Sequence, residues 1–98
     1  MSPMSAPTPV GDVRWRDMAT IEGVIRSVRV RPWADAVPSL ECTVLDETGG
    51  IEIVFLGRRQ LGGVHLGRRI RAFGRVGAHH QRLAILNPIY ELLPGEDH

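Results

Sequence analysis

Lysine is absent from this chain of 98 residues, and all twelve basic residues are arginine. Arginine suits phosphate contacts and base stacking better than lysine does, but a GC-rich genome produces the same bias, so it excludes little. Cysteine occurs once, as Cys42. One thiol forms no internal disulfide, which removes the small secreted scaffolds that depend on such bridges. No stretch approaches ~20 consecutive apolar residues, and the N-terminus lacks the charged-then-apolar layout of a secretory signal. The expectation is a soluble, cytoplasmic protein with no membrane partner. Recognisable catalytic patterns are lacking too: there is no Ser/His/Asp order, no paired acids and no phosphate-cradling glycine motif. The glycine pairs beginning at Gly49 and Gly62 read as turns, so no enzyme activity and no cofactor are expected.

Acidic residues are missing from one long interval. Residues 1–52 hold five arginines and eight acids, residues 53–90 seven arginines and no acid, and residues 91–98 three acids. A net charge of +1 therefore conceals a strongly basic half, the best argument from charge for a polyanionic partner. With 43% hydrophobic residues the chain is expected to form one small domain over 12–93, preceded by a Pro/Ser-rich disordered tail (1–11) and followed by a short C-terminal tail (94–98).

The hydrophobic pattern has period two. Ile21, Gly23 and Ile25 share one parity and Val28 and Val30 the other, so the phase slips near Arg26 and Ser27. Such a slip marks a β-bulge or sharp bend, and Gly23 allows close backbone passage there. Leu40, Cys42 and Val44 form an inward set, as do Ile51, Ile53 and Phe55, with the turn chemistry of "DETGG" between them. Pairing Val44 with Ile53 turns Leu45, Val54 and Leu56 outward, opposite Glu52, Thr43 and Glu41 respectively. The glycine-rich 57–67 is a connector holding at most one helical turn. Ile70, Ala72, Gly74 and Val76 make a fourth strand and Leu83 and Ile85 begin a fifth. Pairing Val76 with Leu83 sets Phe73 beside Leu86. For the lead-in "DVRWRDMA" the choice is between a helical turn and an irregular segment, with Trp15 a candidate plug for the core. The predicted fold is all-β, a five-stranded Greek-key barrel with a short connector between strands three and four. It is preferred over an open sandwich or an SH3-like barrel, because it explains both the slip and the connector.

The stretches "IEGVIRSV", "LECTVLDETGGIEIVFLG", "LGRRIRAFGRV" and "RLAILNPIYEL" resemble the OB-fold nucleic-acid-binding domain, close to the wedge domain of RecG-type helicases and to small stand-alone actinobacterial OB proteins. The likeness covers residues 20–93 and includes no counterpart of helicase motor domains. It implies an OB-fold barrel that binds single-stranded or branched nucleic acid across strands two and three, between the strand 1–2 and strand 4–5 loops.

Those loops are "RPWADAVPS" and "AHHQ". The candidate binding set is Arg29, Arg31, Trp33, Arg58, Arg59, Arg71, Arg75, His79, His80 and Arg82. Trp33 offers a stacking platform or, alternatively, a lid on the barrel end. Glu41 is expected to neighbour Arg29 or Arg31, and that pairing competes with a phosphate role for Arg31. The competing function is an adaptor or homo-oligomer that uses outward apolar residues, namely Leu45, Val54, Leu56, Phe73 and Leu86. A weaker third reading is ligand binding at the barrel mouth. Adjacent His79 and His80 without further ligands do not make a metal site.

Overall fold

Residues 6–96 are described in the computed structural model. β1 (Met18–Ala34), β2 (Val37–Asp46), β3 (Gly49–Leu56), β4 (Arg68–His79), β5 (Arg82–Leu86) and β6 (Ile89–Glu96) are preceded by a single 3-10 turn, Val10–Asp12. The long first strand bends where the hydrophobic phase slips: its register against β2 shifts between Ile25 and Ser27, leaving Arg26 as the extra residue. The bend lets one strand serve two partners, Met18 to Val24 pairing with β4 and Val24 to Ala34 with β2. Gly23 is required at the crossing, because a Cβ there would lie within 3.0 Å of both carbonyl atoms of Leu45.

The remaining ladder runs β2–β3 antiparallel, β3–β5 parallel and β5–β4 antiparallel, and the β1–β4 pairing closes the barrel. This is the all-β Greek-key OB topology. Ile21, Ile25, Leu40, Cys42, Val44, Ile51, Ile53, Ile70, Ala72, Val76 and Ile85 fill the interior, each almost fully buried. Burial pushes the Cys42 thiol up to about 11. The predicted fifth strand is interrupted. Asn87, at φ +47, and the buried Pro88 divide it into β5, beside the end of β4, and β6, beside its start. Asn87 uses the break: its N–H donates to the Val54 carbonyl at 2.7 Å and its side-chain oxygen accepts from Leu56 N–H at 2.9 Å.

Both predicted hairpin registers are displaced by two residues. Val44 pairs with Ile51 and Val76 with Ile85, and the turns shrink to Glu47–Thr48 and His80–Gln81. Faces are unchanged, because a shift of two preserves parity, but neighbours are not. Phe73 pairs with Ile89 on β6, away from Leu86. The segment 57–67 contains no helical turn. Its Val64 is buried in the core cluster and Leu61 packs against it. Trp15 is not a plug: it is 56% exposed beneath the Arg16 guanidinium, 4.2 Å from its ring centroid, while Val10 and Val13 are buried instead. The expected disordered tail therefore starts folding earlier than residue 12, with Thr8 N–H donating to the Thr20 carbonyl at 2.7 Å. β6 likewise runs past Pro94 to Glu96. The rest of both expected tails, residues 1–5 and 97–98, lies outside the described residues.

Candidate nucleic-acid interface

The "RPWADAVPS" segment is not a loop. β1 and β2 continue as a paired hairpin to a two-residue turn at Asp35–Ala36, with φ +38 and +69. Both positive angles match the turn type whose twist suits a hairpin. The arm thus projects Arg29 and Arg31 from regular strand, and a second register shift between Pro32 and Ala34 falls at Trp33. β4 likewise extends to His79 and turns at His80–Gln81, with φ +52 and +64. The two arms meet. The Trp33 and His79 rings stack with centroids 5.0 Å apart and planes 25° from parallel, and the His80 ring lies 4.1 Å from His79.

Beneath this stack lies Glu41, 5% exposed. Its Oε1 forms an ion pair with Arg31 Nε at 3.4 Å, and its Oε2 accepts from Ser39 Oγ at 3.3 Å and is 3.0 Å from His79 Nε2. A buried carboxylate needs such partners. The pairing of Arg31 with Glu41 expected from sequence is therefore present, with Arg29 the residue directly opposite Glu41 in the ladder. Arg29 and Trp33 are nevertheless exposed, and so are His80 and Arg82, the latter facing His79 across β4–β5. No ion pair involves Arg29 or Arg82 among the described residues. Arg58 and Arg59 are exposed, and Arg59 lies beside the outer part of the arm, near its turn. Gly57 N–H donates to the Pro38 carbonyl at 2.8 Å, and Arg59 borders a shallow groove with Val30, Arg31, Pro32, Val37 and Pro38.

Arg71 and Arg75 are placed elsewhere. Arg71 bridges Glu22 at 2.9 Å and Glu91 at 3.2 Å across β1, β4 and β6, and Arg69 approaches the same Glu22 at 3.5 Å. Arg75 donates to the Arg16 carbonyl at 3.2 Å. These charges knit the β1–β4–β6 wall, and sequence separations of 47 and 49 residues hid the pairings with Glu22.

The apolar set does not form one patch. Val54 is fully buried although it faces away from the core, Leu56 and Phe73 are half-buried, and Leu45 and Leu86 are exposed at separate places. Thr43, Glu52 and Ala84, paired across three strands, lie between Leu45 and the Val54–Leu86 pair. Among the described residues no helix is long and apolar enough to cross a membrane.

No protein-family profile and no curated protein matches the chain. A solved structure does match: the solution structure of the replication factor A related protein from Methanobacterium thermoautotrophicum. It is similar over 100% of both chains, with TM-score 0.63 and 18% identity, a likeness of fold.

Proposed function

We propose that this protein is a non-catalytic OB-fold module that binds single-stranded or branched nucleic acid with little sequence preference. The observation that carries this reading is the Trp33–His79 stack, at the meeting point of the two arms and flanked by Arg29, Arg31, His80 and Arg82. Aromatic rings accept any base on their faces, and arginines neutralise the backbone whatever the sequence. A base extends the stack from the exposed part of Trp33 while the arginines track successive phosphates. Arg58 and Arg59 continue the basic surface along the first arm. A neighbour of the same fold whose name relates it to a replication factor supports this choice over an adaptor role, as does the dispersal of the outward apolar residues. A cytoplasmic location and kinship with RecG-type wedge domains belong to the same reading.

Fluorescence polarisation of a labelled single-stranded oligonucleotide tests it. Wild type is expected to bind, with log K falling against log salt at roughly −0.7 per neutralised phosphate. The double variant Trp33→Ala, Arg29→Ala is expected to bind far more weakly at equal salt. Absence of wild-type binding at low salt, or equal binding by the double variant, refutes the site.

A further inference from the structure

Side chains of adjacent residues on a strand point to opposite faces, so a His-His pair does not ordinarily reach one ion. His79 and His80 escape that rule, because the strand ends between them. His80 occupies the left-handed region at φ +52, and the reversal brings its ring to within 4.1 Å of the His79 ring. β2 then supplies a third donor from a distant part of the sequence. Ligand atoms of Glu41, His79 and His80 all lie within 4.8 Å of one another, with Glu41 Oε2 3.0 Å from His79 Nε2.

We propose that Glu41, His79 and His80 form a binding site for a divalent transition-metal ion, with Zn2+ as the preferred occupant. Tetrahedral coordination with bonds near 2.0–2.1 Å separates ligand atoms by about 3.4 Å. The Glu41–His79 distance is slightly shorter than this, and a side-chain rotation of the exposed His80 closes the remainder. Two imidazoles and one carboxylate suit Zn2+, Cu2+, Ni2+ or Co2+ better than Mg2+ or Ca2+, which favour oxygen alone. The surroundings are those a metal site needs. Arg31 pairs with Glu41 Oε1, and Ser39 Oγ donates to Oε2 at 3.3 Å, which orients that oxygen and leaves it a second lone pair for the ion. Trp33 packs on His79 and fixes its ring plane. The fourth position opens to solvent on the His80 side and takes water or an anionic oxygen. An ion here ties the middle of β2 to the β4–β5 turn.

The test is a Co2+ titration of the full-length protein without nucleic acid, followed by visible absorption, with Zn2+ added afterwards as competitor and Zn2+ binding measured by calorimetry. One ion per chain is expected at micromolar metal, with the visible bands of tetrahedral Co2+ abolished by Zn2+. His80→Ala, an exposed change that leaves the core untouched, should weaken binding at least tenfold, and Glu41→Gln likewise. His65→Ala and deletion of His98 should change nothing. A second readout is local: in a Trp15→Phe background, Cu2+ should quench Trp33 emission, and His80→Ala should abolish saturable quenching. No saturable Zn2+ binding to wild type, or equal binding by His80→Ala, overturns the proposal. Because nucleic acid is omitted, either result stands apart from the oligonucleotide experiment.

Discussion

Asp46, at the end of β2, commits its whole carboxylate to holding a turn and the N-terminal segment, whereas the turn at the other end of the same strand leaves its charged and aromatic residues exposed. Oδ1 of Asp46 accepts from the Thr48 hydroxyl at 2.6 Å, Thr48 N–H at 2.7 Å and Gly49 N–H at 3.1 Å, and Oδ2 accepts from Val10 N–H at 2.8 Å. Burial opposes ionisation of this carboxyl, but the combined hydrogen bonds outweigh it and hold its pKa below the usual carboxylate value. The Val10 bond, with one from Gly11 N–H to Thr48 Oγ1 at 2.7 Å, fastens the N-terminal segment over the barrel end. At the opposite end Asp35 and Ala36 turn the chain without such a network, and Arg29, Trp33, His80 and Arg82 remain available. Stability is concentrated at one end of β2 and recognition at the other, so the two should separate under mutation.

The largest expected effect is on recognition. Trp33→Ala should cost about 1 to 3 kcal/mol of oligonucleotide affinity, the range for loss of one base–aromatic stack, while the unfolding midpoint moves much less. Polarisation and thermal melting of the same samples check this pair of outcomes. Asp46→Ala should show the reverse, losing about 1 to 2 kcal/mol of stability with unchanged affinity, read as a melting temperature lower by roughly 4–8 °C per kcal/mol.

The same carboxylate predicts an acid dependence. Its folded pKa is depressed, so its stabilisation is fully present above the unfolded value of about 3.9 and is lost as pH falls through the folded value. Urea midpoints at neutral pH and at about pH 3 should differ less in Asp46→Asn than in wild type. A smaller contrast separates the arginines. Arg29→Ala should flatten the salt slope by about 0.7, whereas Arg71→Ala, on the Glu22–Glu91 wall, should leave the slope alone. The least conspicuous outcome concerns Cys42. A buried thiol raised to about 11 should react with thiol reagents only as fast as the protein unfolds.

Much of this architecture is legible in the sequence, for a definite reason. Period-two alternation identified the inward sets Leu40, Cys42, Val44 and Ile51, Ile53, Phe55, and its slip located the bulge at Arg26. Alternation is unchanged by a shift of two residues, so it could not tell Val44–Ile51 from Val44–Ile53, nor Val76–Ile85 from Val76–Leu83. Turn chemistry should have settled the β4–β5 register, but His80–Gln81 reaches positive φ without glycine or asparagine, the usual signal, as does Asp35–Ala36 between β1 and β2. For the same reason the two paired arms look like loops in the sequence. The sequence places Trp33 and the histidines in the two strand connections, but their contact, and the burial of Glu41 beneath them, depend on how far the arms extend. The engagement of Arg71 with Glu22 and Glu91 is a product of closure between β1, β4 and β6 and has no local signature.

The most direct measurement of the central claim is an NMR titration of the labelled protein with a single-stranded oligonucleotide. The account predicts shift changes at the indole N–H of Trp33, at the His79 and His80 rings and at the backbones of Arg29, Arg31 and Arg82, with Val10, Thr48 and Gly49 unmoved. Changes confined to the Glu22–Arg71–Glu91 wall or to the Asp46 turn, or none at any residue, would contradict it.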